Sequence, residues 1–165
     1  MIWLAIAVTV LVVCFGGVLL RGAPYLPTLK LQVKAALELA DLKAGDTLLE
    51  LGSGDGKVLV AAARQGINVV GYELNPLLVV ISWLRTRRYR HNVKIIWGDF
   101  WTKSWPPAEA IFTFLLPKYM TKLNKKVIQY EHKPVKLVSF AFEIPGAKAN
   151  KQKNGVFLYK YDQTA

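Results

Sequence analysis

The chain has 165 residues, which is enough for one domain with a modest core. Its 22 Lys and Arg residues outnumber its 11 Asp and Glu residues, so its formal charge is +11. Cys14 is the only cysteine, which excludes an intrachain disulfide, a cysteine-based zinc site and a Cys–His catalytic pair within one chain. No metal site is predicted.

Residues 1–20 carry no charged side chain. A helix of that length spans about 30 Å, the thickness of the hydrocarbon core of a bilayer. No Lys or Arg precedes the apolar stretch, which argues against a signal peptide. Because Arg21, Lys30 and Lys34 follow the stretch, the positive-inside rule predicts a single-pass membrane protein whose domain lies on the cytoplasmic side or its organellar equivalent.

The predicted anchor is followed by a linker over residues 21–28, which Pro24 and Pro27 stiffen. Residues 29–165 form the predicted domain. Apolar residues at helical spacing predict that it begins with a helix over residues 29–42.

Strands and helices alternate through the rest of the domain. Near-continuous apolar strands in such an alternation predict an α/β fold, with a mostly parallel sheet covered on both faces. Such a sheet binds its ligand at the carboxyl ends of the strands, near the point where the strand order reverses. The predicted strands are 47–51, 68–72, 93–97, 110–116, 135–142 and 156–161, the predicted helices are 57–65, 76–88 and 118–129, and 146–155 is a polar loop.

Two basic clusters lie within residues 85–94 and 118–136. They fit three partners: the anionic headgroups of a membrane surface, an acidic protein, or nucleic acid. Beside a predicted anchor the membrane surface is favoured, and a solvated basic surface is the alternative without a partner.

The strongest chemical signal is E-L-G-S-G-D-G, directly after the first predicted strand. Gly52 permits a tight turn, Gly54 lets the backbone approach a ligand beside Ser53, and Gly56 lets the next helix start close to the sheet. The spacing differs from the dinucleotide fingerprint G-x-G-x-x-G. It suits S-adenosyl-L-methionine, whose anionic group is a single carboxylate instead of a pyrophosphate.

Acids at three strand ends complete the predicted cofactor site. Glu73, followed by Leu74, ends the second strand and can accept hydrogen bonds from ribose hydroxyls, or alternatively caps the following helix. Asp99 ends the third strand and can accept a hydrogen bond from the adenine amino group, while Phe100 flanks the ring or is simply core. Glu50 contacts the amino group of the methionine moiety, or is a buried acid satisfied by backbone amides.

E-L-G-S-G-D-G, G-Y-E-L-N-P and G-D-F-W, in this order and spacing, resemble the class I (seven-β-strand) methyltransferases. With P-Y-L-P before them and F-L-L-P after them, they resemble a family of small, membrane-anchored protein-lysine N-methyltransferases. This family includes the mitochondrial enzymes that modify adenine nucleotide translocase and the c-ring protein of ATP synthase. The resemblance implies a Rossmann-like three-layer sandwich with an antiparallel last strand.

The resemblance also implies that Gly52, Gly54 and Glu73 bind S-adenosyl-L-methionine and that Asp99 contacts its adenine. Residues 24–27, together with Leu116 and Pro117, would shape the methyl-transfer cleft. We expect Tyr25 to line the acceptor channel and the backbone carbonyls of Leu116 and Pro117 to orient the acceptor, a lysine on a membrane or membrane-adjacent protein. No general base stands out.

Three other functions remain open. The basic surface favours an RNA or DNA methyltransferase, although L-L-P-K stands where amino-methylating nucleic-acid enzymes carry Asn/Asp-Pro-Pro-aromatic. A small-molecule methyltransferase and a non-catalytic module that binds S-adenosyl-L-methionine are the remaining alternatives.

Overall fold

The computed structural model describes residues 1–3, 9, 26, 28–132 and 134–162. These residues form a seven-stranded sheet in the order β3-β2-β1-β4-β5-β7-β6. Strands β1 to β5 are parallel, and β7 runs antiparallel to both β5 and β6. The strands are Thr47–Leu51 (β1), Asn68–Glu73 (β2), Val93–Trp97 (β3), Ala110–Thr113 (β4), Val135–Phe140 (β5), Lys151–Lys153 (β6) and Val156–Tyr161 (β7).

Helices cover both faces of this sheet. Lys30–Ala40 (α1), Lys57–Ala63 (α2) and Pro76–Thr86 (α3) lie on one face, where α1 packs against β5 and β7, α2 against β2, and α3 against β3. Pro117–Ile128 (α4) lies on the other face. The described part of the domain is therefore a three-layer sandwich with a mixed, mostly parallel sheet, as the sequence predicts.

The alternation of side chains along the strands builds two hydrophobic cores. In β1, Leu48 packs with the residues of α1 and α2, whereas Leu49 and Leu51 pack with those of α4. Successive side chains of a strand point to opposite faces, so a strand buried on both sides must be apolar throughout. Glu50 interrupts this apolar run, which marks it for a role other than packing.

Two predicted bounds differ from the observed strands. The fourth strand was predicted to reach residue 116, but it ends at Thr113 because its partner strands β1 and β5 extend no further beside it. The predicted loop 146–155 contains β6, which is exposed and pairs with β7 alone. A short polar edge strand buries no apolar side chain, so hydrophobic patterning does not reveal it.

The predicted anchor and linker lie almost entirely outside the described residues. Among the residues that are described, no helix is long and apolar enough to cross a membrane. The longest of these helices, α4, has 12 residues, whereas a spanning helix needs about 20 apolar ones. The predicted localisation, a single-pass membrane protein with its domain on the cytoplasmic side, is contradicted by this finding and is withdrawn.

Candidate functional site

The glycine turn lies at the carboxyl end of β1, beside the point where the strand order reverses between β1 and β4. The amides of Gly52 and Ser53 both donate to the Tyr72 carbonyl, at 2.9 and 2.8 Å, which fixes the turn on β2. Gly52 has φ +86°, and a Cβ atom added there would meet nothing within 4 Å. The turn therefore leaves open space at the crevice where an α/β sheet of this kind binds its ligand.

Gly56 has the opposite surroundings. Its φ is +80°, and an added Cβ atom would lie 2.5 Å from the Ser82 hydroxyl and 3.2 Å from the Ser82 Cα of α3. The prediction that Gly56 allows close packing is confirmed in its physical sense, but the contact is with α3 and not with the sheet.

Glu73 joins the glycine turn to the end of β2. Its Oε2 accepts from the Gly54 amide at 2.8 Å, and its Oε1 accepts from the Asn75 amide at 2.7 Å. Burial raises the pKa of Glu73, and the hydrogen bonds from the backbone amides lower it in part. A carboxylate can accept about four hydrogen bonds, so lone pairs remain for a ligand hydroxyl.

The helix-capping role falls to a different residue. Asn75 is the N-cap of α3, and its Oδ1 accepts from the amides of Leu77 at 2.9 Å and Leu78 at 3.4 Å. The sequence signal was available, since Asn before Pro is a common helix start. The carbonyl of Leu74 accepts from the Trp97 indole at 3.1 Å, which ties the end of β3 to the same segment.

Glu50 is almost fully buried beside the glycine turn, and its Oε2 has no hydrogen-bond partner among the described residues. Burial raises the pKa of Glu50 well above its ordinary value, and the nearby carboxylates of Glu73 and Asp55 raise it further. Buried polar atoms are nearly always satisfied, so an unpartnered one beside a crevice points to a donor that the chain itself does not supply.

Three more polar atoms near the turn have no partner among the described residues: Ser53 Oγ, Asn75 Nδ2 and Ser82 Oγ. With Glu50 they come from β1, from the turn and from α3. The polar environment behind the turn is thus assembled from segments far apart in sequence.

The pKa of Glu50 leads to a testable dependence of stability on pH. Between the ordinary pKa of a glutamate, about 4.3, and the raised value, the unfolded chain ionises while the folded chain stays protonated. The free energy of unfolding therefore falls as pH rises through this window. Glu50→Gln cannot ionise, so we expect its stability relative to the parent to increase from pH about 4 to about 8 in urea unfolding without ligand. Exposed Glu109→Gln is the control, and a flat difference for Glu50→Gln contradicts the prediction.

Asp55 forms an interaction that the sequence reasoning missed. Its carboxylate pairs with the Arg85 guanidinium and lies 3.5 Å from the Lys57 ammonium. Arg85 Nη1 also donates to the Asp55 carbonyl at 2.9 Å. Arg85 therefore holds the glycine turn against α3 through both the side chain and the backbone of Asp55. Nothing local in the sequence links these two residues, which are thirty positions apart.

Asp99 follows the end of β3. The Gly98 amide donates to the Glu73 carbonyl at 2.9 Å, and Asp99 Oδ1 accepts from the Trp101 amide at 2.8 Å. The ring of Phe100 contacts that of Trp101 at a centroid distance of 4.7 Å and packs partly into the core on the α4 side. The segment that bears Asp99 is thus bonded to Glu73, while the adenine contacts of Asp99 and Phe100 remain predictions.

The predicted acceptor cleft is described only in part. Leu116 is the N-cap of α4 and Pro117 is its first residue, just beyond the end of β4. The Leu116 carbonyl accepts from the Tyr119 amide at 3.0 Å, so one of its lone pairs belongs to the first turn of the helix. Pro24, Tyr25 and Pro27 lie outside the described residues.

A family model described as the ANTKMT methyltransferase domain matches residues 50–151, the segment that carries the glycine turn, Glu73 and Asp99. The chain belongs to this family. The family that the sequence motifs predict is therefore confirmed.

Curated relatives of the chain are protein-lysine methyltransferases. The lysine N-methyltransferase of Xenopus laevis that is named for the c-ring protein of ATP synthase is 33% identical over 124 residues, which are 74% of this chain and 54% of that protein. The adenine nucleotide translocase lysine N-methyltransferase of Mus musculus is 30% identical over 74% of this chain and 54% of that protein. The chain thus spans about half the length of these relatives. A protein-lysine N-methyltransferase of Saccharolobus islandicus is 31% identical over 129 residues, which are 74% of this chain and 79% of that protein.

Solved structures confirm the class I methyltransferase fold. An RNA methyltransferase from Salinibacter ruber, solved with S-adenosyl-L-homocysteine, superposes with a TM-score of 0.79 and 27% identity and covers 85% of this chain and 96% of its own. A methyltransferase from Geobacter sulfurreducens superposes with a TM-score of 0.62 at 15% identity, over 84% of this chain and 58% of its own, and supports the fold alone.

Proposed function

We propose that residues 29–165 form an S-adenosyl-L-methionine-dependent methyltransferase that transfers a methyl group to a lysine side chain of a protein. The observation that carries the proposal is the hydrogen bond from the Gly54 amide to Glu73, which joins the glycine turn of β1 to the acid at the end of β2. Family membership and the lysine methyltransferases among the relatives support the reaction and its acceptor.

The residues at the turn fit this cofactor. The open side of Gly52 leaves room for the methionine moiety, and the unpartnered Glu50 Oε2 is placed to accept a hydrogen bond from an ammonium group. Glu73 keeps lone pairs for ribose hydroxyls, and Asp99 would accept from the adenine amino group. We assign the cofactor site to Glu50, Gly52, Ser53, Gly54, Gly56, Glu73, Leu74, Asp99 and Phe100.

When bound, S-adenosyl-L-methionine supplies a methyl group on a sulfonium, which is already an activated leaving group. The chain has to bind it, hold the acceptor amine in line with the methyl carbon and exclude water. The amine attacks in its neutral form, and burial in a pocket without water lowers the pKa of a lysine. We assign the walls of the acceptor cleft to Tyr25, Leu116 and Pro117.

The test is transfer of a methyl label from S-adenosyl-L-methionine to proteins incubated with the chain, followed by mass spectrometry of the modified residues. We expect methyl-lysine with the parent chain and with exposed-site Glu109→Gln, and its loss with Glu73→Ala. Labelled protein with methyl groups only on other residues, or no labelled protein, would refute the proposal.

One observation favours RNA as a second candidate acceptor. The Salinibacter ruber enzyme, which shares the fold over 85% of this chain, is an RNA methyltransferase. Three lysines of α4 also stack on aromatic rings: Lys118 on Tyr119, Lys122 on Trp101 and Lys126 on Trp105, at 4.9, 4.4 and 5.0 Å from the ring centroids. The same labelling with total RNA decides this candidate, which requires label in RNA that is resistant to protease.

A further inference from the structure

Helix α3 shows an inverted distribution of polar and apolar side chains. The residues that it buries against the domain are Leu78, Ser82 and Thr86, of which two are polar. Ser82 is the residue that touches the glycine turn, and the Thr86 hydroxyl donates back to the Ser82 carbonyl at 2.9 Å. The narrow space beside the turn thus selects small polar residues for the inner face of the helix.

The outer face of α3 carries the large apolar side chains. Trp83 is 63% exposed, and Val80 and Leu84, at helical spacing around it, are also exposed. Trp97 is 65% exposed at the end of the neighbouring strand β3, where its indole donates to the carbonyl of Leu74, just before α3. Exposed large apolar residues that are contiguous, in contrast to scattered ones, mark a surface that is covered in function.

A positive rim adjoins this apolar surface. Arg87, Arg88 and Arg90 follow the end of α3, are at least partly exposed and form no ion pair with any described residue. No Asp or Glu occurs from residue 74 to residue 98. We call this surface the α3 face, defined by Val80, Trp83, Leu84, Trp97, Arg87, Arg88 and Arg90.

We infer that the α3 face docks on an anionic lipid surface. Tryptophan side chains favour the boundary between headgroups and acyl chains, and a helix with Trp and Leu on one side and arginines beside them is typical of a segment that lies in that boundary. Each arginine near an anionic surface strengthens the attraction. A second copy of the chain fits less well, because a symmetric contact would bring the two arginine rims together.

This docking is a contact along the bilayer surface and does not involve a membrane span. It is independent of the proposed methyl transfer, since none of the residues of the α3 face is assigned to the cofactor site or to the acceptor cleft. An acidic apolar partner protein is the competing occupant, and the test below excludes or identifies it.

The experiment places an environment-sensitive fluorophore on the α3 face of the full chain. In a Cys14→Ser background, Val80→Cys is labelled, and Lys125→Cys on exposed α4 is the matched probe position. The labelled chains are mixed with vesicles of phosphatidylcholine alone, or with phosphatidylglycerol at a ratio of roughly three to one. Because the signal is local, lipid contact through another part of the chain does not move it.

We expect a blue shift for the probe at position 80 with anionic vesicles, a much smaller shift with neutral vesicles, and none for the probe at position 125. Trp83→Gln with Leu84→Gln should abolish the shift. Replacing Arg87, Arg88 and Arg90 by Gln should raise the lipid concentration that gives half the shift on the order of 100-fold. Replacing Lys118, Lys122 and Lys125 removes the same charge and should change it less than about threefold.

Three outcomes would overturn the inference. The probe at position 80 does not respond to anionic vesicles, or both charge variants weaken the response equally, which indicates diffuse attraction to the whole chain. Alternatively, the shift appears without lipid and grows with the concentration of the chain or of an added protein, which assigns the α3 face to a protein partner. Near-ultraviolet circular dichroism of each variant checks that it is folded.

Discussion

Glu73→Ala is expected to weaken binding of S-adenosyl-L-methionine by roughly 100- to 1,000-fold in isothermal titration calorimetry. The substitution removes the proposed acceptor for the ribose hydroxyls. It also frees the amides of Gly54 and Asn75, which Glu73 holds at 2.8 and 2.7 Å, so the turn loses its fixed shape. Both losses act on the bound state, because a turn that is not preorganised must be ordered when the ligand binds.

Glu109→Ala is the matched control for this substitution. Glu109 Oε2 also accepts from a backbone amide, that of Thr47 at 2.6 Å, but at the amino end of β1. It therefore reports what the loss of such a bond costs in stability, away from the proposed site. If Glu73→Ala binds the cofactor within threefold of the parent, the assignment of Glu73 to the ribose is wrong.

Gly56→Ala is expected to lower the free energy of unfolding by about 2–4 kcal/mol in urea titration. Part of this loss is strain, since φ at Gly56 is +80°. The rest comes from the methyl group, which would lie 2.5 Å from the Ser82 hydroxyl and so force α3 away from the turn. Gly146→Ala separates the two causes: its φ is +76° but an added Cβ atom meets nothing within 4 Å, so we expect a loss of only about 1 kcal/mol.

A double-mutant cycle tests the contact directly. Ser82→Ala removes the hydroxyl that the new methyl group would meet, so Gly56→Ala should cost about 1 kcal/mol less in the Ser82→Ala background. Equal losses for Gly56→Ala and Gly146→Ala, with no coupling to Ser82, would show that backbone strain alone is responsible.

The family and the chemical elements of the candidate site could be read from local sequence. In a parallel sheet every strand delivers its last residues to the same edge, so motifs that directly follow apolar strands must converge there. This rule brings the turn that begins at Gly52 to Glu73, and the hydrogen bond from Gly54 to Glu73 bears it out. It fails for β6, whose exposed polar residues carry no hydrophobic signal.

Apolar residues in α3 predict a helix but not the direction in which each side faces. A stretch such as P-L-L-V-V-I-S-W-L is apolar nearly all round and is typical of a buried helix. The structure instead buries Ser82 and exposes Trp83, because the glycine turn occupies the space on the inner side. The hydrophobic stretch at residues 1–20 led to a localisation that the described residues do not support, since length and hydropathy alone cannot establish a span.

The sequence by itself determined the order and type of most elements, the family, and the placement of the glycine turn and Glu73 at the edge of the sheet. These properties depend on short-range periodicity and on the geometry of parallel strands. Only the tertiary structure decided that Glu50 Oε2 lacks a partner among the described residues, that Arg85 holds Asp55, and that α3 presents Trp83 to solvent. Burial, hydrogen-bond satisfaction and pKa are set by atoms tens of residues away, and no local pattern contains them.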